Sequence, residues 1–277
     1  MNDQLRRRSV GPPAARSMLL TVLGEYVLPL AEGVWQDALI KALTTLDHKP
    51  FAARQALARS VGGGWLRTER HGRRARMFLT EEARAMLSTG AGRIYSFGEP
   101  STWDGQWLLI LVHVPEEHRD VRHIIRSRLA WAGFGSLGGG LWITPHTDRE
   151  AEVEHIAHEL VSATLLSFRA QFGSMGEPAK VAAQAWDLDD VAERYLGFVT
   201  RFGTGSTASP KDAFRSRTEL VHHWRRFPFL DPDLPAEVLP ADWPRLQAYG
   251  VFTERYAASR RLADGYFGSL EDVAQRR

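Results

Sequence analysis

The sequence contains no cysteine in 277 residues, which excludes a disulfide framework and any thiolate metal site. It also lacks a long apolar run. No stretch approaches the roughly 20 residues needed to cross a bilayer, so no membrane partner is expected. Residues 1–16 carry arginines without an apolar segment of signal-peptide length, and read as a disordered leader on a cytoplasmic protein. A strong net charge is missing too, since the formal balance is only +2. That balance hides an asymmetry. Residues 1–90 hold 14 Lys+Arg against 8 Asp+Glu, and the remainder holds 21 against 25. A basic module joined to a mildly acidic body points to a polyanionic partner for the first part. With 44% hydrophobic and 25% charged residues, the rest is ordinary globular composition, and the length predicts two or three compact units.

The first unit is expected at 15–95. Leu19, Val22, Leu23, Tyr26, Val27 and Leu30 recur at helical spacing, and Trp35, Leu39, Ala42, Leu43 and Leu46 give a second apolar stripe. Pro50 suits the first turn of a third helix, about Phe51 to Val61. There Ala53, Ala56 and Leu57 face inward, leaving Arg54, Gln55 and Arg59 outside. Gly62, Gly63 and Gly64 stop that helix. Two short strands follow, turning at His71-Gly72, and Thr80 is placed to cap a fourth helix. Three helices, a hairpin and a helix make a winged helix-turn-helix. Arginine and glutamine on the third helix are residue types that read guanine and adenine edges. The hairpin carries Arg67, Arg70, His71, Arg73, Arg74 and Arg76 against the single acid Glu69, and so suits phosphates or a narrow minor groove. The DNA-contacting set is accordingly Arg54, Gln55, Arg59, Arg70, His71, Arg73, Arg74 and Arg76.

The second unit, 101–172, reads as strand, helix, two strands, helix, strand, which is the split βαβ or ferredoxin-like order. Its first strand is the apolar run from Leu108 to Val114. Gly133, Gly135 and Gly138 lie between a helix and a strand, the wrong context for a dinucleotide fingerprint. His155 and His158 share a helix face but lack the order of a zinc protease, so no metal ligand is assigned. The third unit, 178–277, reads as a helical domain. It has helices at about 186–202, 211–227 and 244–262, with an extended crossing fixed by Pro228, Pro232, Pro235, Pro240 and Pro244. His223, Trp224, Arg225 and Arg226 offer charge and stacking to an anionic effector. The fold class is therefore multidomain α+β.

Several motifs together resemble the PaaX-type regulators. Ala53-Arg54-Gln55-Ala56-Leu57, Gly64-Trp65-Leu66 and Arg70-His71-Gly72-Arg73-Arg74 are similar to that family's N-terminal domain. Trp103-Asp104-Gly105-Gln106-Trp107 and Trp131-Ala132-Gly133-Phe134-Gly135-Ser136-Leu137 resemble its middle domain. Trp224-Arg225-Arg226-Phe227, Asp231-Pro232 and Leu239-Pro240-Ala241-Asp242-Trp243-Pro244 resemble its C-terminal domain. The resemblance implies a repressor of aromatic, phenylacetate-type catabolism that binds operator DNA as a homodimer. It further implies release by phenylacetyl-CoA or a related acyl-CoA, with no other cofactor. The family's middle domain resembles ferredoxin-like CRISPR nucleases, which place an aspartate at the end of the first strand. Here that strand ends His113-Val114-Pro115, without a carboxylate, so no catalytic residue is assigned. A metal-dependent nuclease, and a DNA-binding dimer with no effector, are the alternatives.

Overall fold

The computed structural model describes residues 13–99, 102–160, 162–205 and 209–276. Most of the expected leader lies outside the described residues. Its last two, Ala15 and Arg16, instead begin the first helix. The chain forms two compact units, each assembled from separate stretches. One combines the described residues of 10–97, 198–226 and 247–277. The other combines those of 98–197 and 227–246.

In the first of these, α1 (Ala15–Val22) continues as a π-helical turn over Leu23–Val27. Then come β1 (Val34–Trp35), α2 (Gln36–Thr45) and α3 (Pro50–Gly62). The chain goes on through β2 (Leu66–His71), β3 (Arg74–Leu79) and α4 (Glu81–Ser96). The strands form an antiparallel sheet in the order β1-β3-β2, with Val34 opposite Met77 and His71 opposite Arg74. Two residues join β2 to β3. The first, Gly72, has φ of 63°, a conformation that favours glycine and suits a tight hairpin turn. Thr80 caps α4 by accepting a hydrogen bond from the Ala83 amide at 3.2 Å.

The core of this unit buries Leu19, Leu23, Leu39, Leu43, Leu57 and Leu66 completely, following the sequence spacing. Two helices from the end of the chain complete it: α9 (Pro210–Trp224) through Phe214, and α11 (Arg245–Arg276) through Phe267, Leu270 and Ala274. Tyr26 lies 4.9 Å from the Phe214 ring and 5.2 Å from the Phe267 ring. The expected end of the last helix near Leu262 is corrected to Arg276. Gly265 and Gly268 each disfavour a helix by about 1 kcal/mol. Burial of Phe267, Leu270 and Ala274, at three- and four-residue spacing, outweighs that cost.

The other unit is built on β4 (Gln106–His113), α5 (Arg119–Trp131), β5 (Gly135–Gly138), β6 (Leu141–Thr144), α6 (Glu150–Glu159) and β7 (Thr164–Gln171). The sheet is antiparallel throughout, in the order β5-β6-β4-β7, so each helical connection skips one strand. Leu108, Ile110 and Trp142 pack on Ile125, Leu129, Val153 and Ile156 of α5 and α6. On the other face, Trp107 and Ile143 meet Ala182 of α7 (Pro178–Ala185), together with Leu188, Leu234, Val238 and Leu239. Gly140 explains part of the glycine-rich stretch. Its φ is 85°, and a Cβ there would lie 2.3 Å from the Val112 carbonyl oxygen.

The helical segment 178–277 is thus divided between the two compact units. The division follows the apolar faces. Tyr195 of α8 (Leu188–Phe202) stacks on Phe227 of the short α10 (Phe227–Leu230) at 4.1 Å. Phe214 and Phe267 pack instead on Tyr26.

Candidate nucleic-acid interface

Helix α3 presents two unlike faces. Ala53, Ala56 and Leu57 are buried, while Arg54, Gln55 and Arg59 are exposed as expected. Arg59 donates from Nη2 to Gln55 Oε1 at 3.0 Å, aligning both side chains one turn apart. Phe51, in the first turn, is 70% exposed and was not anticipated. Its sequence signal is that it falls outside the inward stripe of α3.

The hairpin arginines divide into two groups. Arg70 and Arg73, at the turn, are exposed and have no partner among the described residues. His71 is exposed, with its ring edge-on to Trp35 at 5.7 Å. The other arginines are engaged within the fold. Arg67 pairs with Glu69 and lies 4.0 Å over the Phe78 ring. Arg76 donates to the Gly33 carbonyl and to Glu32, both at 2.9 Å. Arg74 donates from Nη1 to the carbonyls of Ala274 at 2.9 Å and Gln275 at 2.7 Å, with its guanidinium 4.4 Å over Trp35. Arg74 and Arg76, both in the expected DNA-contacting set, thus also fasten the hairpin to its surroundings. A cleft of about 480 Å³ remains beside the turn, lined by Trp35, Asp37, Arg70, Arg73, Arg74 and Ala274. Glu271 holds the Trp35 amide at 3.0 Å. Burial pushes its carboxyl up to about 7, although the Trp35 amide and nearby Arg76 oppose this.

The proposed effector residues give a different picture. Trp224 is fully buried, stacked on Phe252 at 4.6 Å, and its indole donates to the Ile94 carbonyl at 3.1 Å. It is a core residue with no face left for a ligand, which corrects its assignment to a stacking pocket. His223 lies edge-on to Phe202 at 5.4 Å, and burial with nearby Arg201 pushes its pKa down to about 4. Arg225 is mostly buried, and its Nη2 donates to the Ser17 carbonyl at 2.9 Å and hydroxyl at 2.8 Å. In the other unit, His155 and His158 belong to no group of three potential metal ligands among the described residues.

Comparison with known proteins adds the family. Residues 14–83 match the PaaX-like protein model, 100–182 the PaaX protein central Cas2-like domain, and 186–269 the PaaX-like protein C-terminal domain. A curated relative, the transcriptional repressor PaaX of Escherichia coli strain K12, is 28% identical over 84% of this chain and 76% of its own length. The solved structure of the Mycobacterium tuberculosis protein Rv0674 has a similar fold. Its TM-score is 0.61 at 24% identity, covering 95% of this chain and 99% of that one. Three matched segments in the same order along nearly the whole chain show that it belongs to the PaaX-like family.

Proposed function

We propose that the protein is a cytoplasmic transcriptional repressor that binds double-stranded operator DNA as a homodimer. One observation carries the DNA half of this reading. Arg54, Gln55 and Arg59 share the exposed face of α3, and the hairpin that follows presents Arg70 and Arg73 without partners among the described residues. In this reading α1 to α4 and β1 to β3 are a winged helix-turn-helix. Helix α3 enters the major groove, where arginine and glutamine address base edges and Phe51 addresses a thymine methyl. Arg70, His71 and Arg73 meet the phosphate backbone or the minor groove. The strand order β5-β6-β4-β7 supports a ferredoxin-like reading of the central domain.

The Escherichia coli relative is a transcriptional repressor, which supports repression. Dimerisation, an aromatic-catabolism target and release by an aryl-acyl-CoA such as phenylacetyl-CoA rest on the family resemblance. The deciding experiment is to sequence the genomic fragments the protein retains, then titrate the enriched site with and without phenylacetyl-CoA. Enrichment of one motif, weakened by Arg54→Ala with Arg59→Ala, supports the reading. No enrichment, or equal binding by the double variant, removes it.

A further inference from the structure

Arg225 closes α9 with most of its guanidinium buried, yet among the described residues its hydrogen bonds go only to the neutral oxygens of Ser17. Its Nε is buried without a hydrogen-bond partner among the described residues. A buried cation without an acid is costly, because neither water nor a counter-charge offsets its desolvation. A second buried nitrogen without a hydrogen-bond partner among the described residues is Nε2 of His48, in the link between α2 and α3.

Both residues lie near enough to His222 to act on its charge. His222, one turn before Arg225, shares a hydrogen bond with Thr21 Oγ1 through Nδ1 at 3.1 Å. Thr21 and Ser17 are one turn apart on α1, and Thr21 Oγ1 lies 3.4 Å from the Ser17 carbonyl. His222 is near enough to Arg225, Arg226 and His48 for all three to add to burial in pushing its pKa down, to about 3. Burial, with Arg226 alongside, likewise pushes Arg225 down to about 10. The acid adjoining His48 does not relieve this excess, because Arg215 holds the Asp47 carboxylate. The cluster reaches the surface at Ser17, His48 and Arg225, all of them half-buried.

A buried guanidinium N–H with nothing to donate to, and a buried His48 Nε2 that donates in one of its two tautomers, form the donor set of an oxyanion site. We infer that Ser17, His48, His222 and Arg225 bind the phosphate or carboxylate group of a small ligand. Such a ligand would tie α1 to α9 within the unit that carries the DNA-reading residues. Trp224, whose faces are spent in the core, takes no part. The inference rests on this cluster and not on the acyl-CoA reading. A response to inorganic phosphate without one to phenylacetyl-CoA would keep the site and remove that effector.

Thermal unfolding of the full-length protein in sodium phosphate, sodium acetate and sodium chloride at equal ionic strength tests the site and separates the two ligand chemistries. Phosphate stabilises many proteins by exclusion from their surfaces, an effect that does not saturate. The diagnostic readout is the saturable rise in Tm, which binding to the native state produces by mass action. Wild type should show that rise in phosphate or acetate. Arg225→Met should lose it, while remaining no less stable than wild type in chloride because an unpaired buried charge is gone. His48→Ala should shift saturation to higher concentration. The site is overturned if neither anion gives a saturable rise, or if Arg225→Met keeps it. Should Arg225→Met fail to fold, an unchanged saturation curve for His48→Ala overturns it equally.

Discussion

Arg74 donates a hydrogen bond to the main-chain carbonyl of Ala274, 200 positions later in the chain, at 2.9 Å. The last carbonyls of a helix have no partner within it and carry its negative end, so a guanidinium both satisfies and balances them. Gln275 offers a second carbonyl at 2.7 Å. Glu271 fixes the Trp35 amide that lies under the same corner. The C-terminal end of α11 is thus a structural support of the hairpin. The hairpin arginines consequently have different tasks.

Arg74→Ala should destabilise the protein by about 1–3 kcal/mol, from lost charge-assisted hydrogen bonds and helix capping. Its operator affinity should fall without a change in the salt slope. Arg73→Ala should do the reverse, leaving stability within about 0.5 kcal/mol. Its plot of log affinity against log salt should become shallower by about 0.9 if one phosphate contact is lost. Chemical denaturation and fluorescence anisotropy across a salt series measure both. A shallower slope for Arg74→Ala at unchanged stability would make Arg74 a phosphate ligand after all.

What the sequence discloses about this interface follows the range of the interactions involved. The inward stripe Ala53, Ala56 and Leu57 is local, and it placed Arg54, Gln55 and Arg59 on the exposed face. Thr80 was legible as a cap because its partner, Ala83, is three residues away. The fate of Arg74 and Arg76 was not, since their acceptors are at 274, 275, 32 and 33. Charge patterning identifies arginines but not the carbonyls that consume them. Trp224 hides its role for a related reason. An aromatic beside His223 and Arg225 looks like a stacking site until Phe252 and Ile94 occupy its face and its N–H.

Gln55 is exposed and, among the described residues, accepts only from Arg59, so Gln55→Ala should change stability by less than about 0.5 kcal/mol. Discrimination at one base pair should fall by about 1–3 kcal/mol, the value of a bidentate base contact. Competition binding with single-base operator variants reads this directly. If every variant weakened by the same factor, Gln55 would be contributing general affinity and no base reading.

Trp224 should behave as a packing residue. Trp224→Ala removes a fully buried indole and should destabilise by about 3–5 kcal/mol. Trp224→Phe keeps a ring against Phe252 but leaves the Ile94 carbonyl unsatisfied, at about 1–3 kcal/mol. Urea denaturation gives both values. Full stability in Trp224→Phe combined with a lost response to phenylacetyl-CoA would return this residue to a ligand site.

Glu271 adds a pH dependence whose sign follows from its environment. Burial raises its carboxyl from the ordinary 4.5 to about 7, so the native state holds this proton more tightly than the unfolded chain. Its contribution to stability is therefore complete below about pH 4.5 and is lost as pH rises through about 7. Glu271→Gln still offers an oxygen to the Trp35 amide but does not titrate. Every other titrating group is common to both proteins and cancels in their difference. Relative to the variant, wild type should lose stability as the buffer moves from about pH 5 to about pH 8, with denaturation midpoints as the readout. Most of that loss should fall between the two pKa values. Ionisation strengthens the Trp35 hydrogen bond, but burial of the ionised carboxylate costs more, so the same pH rise should favour local opening that returns Glu271 to water and frees the hairpin corner where it meets Trp35. Lower amide protection factors in β1 and β3 than in Glu271→Gln at the same pH would register this, and equal protection alongside parallel stability curves would show that Glu271 ionises at its ordinary pKa.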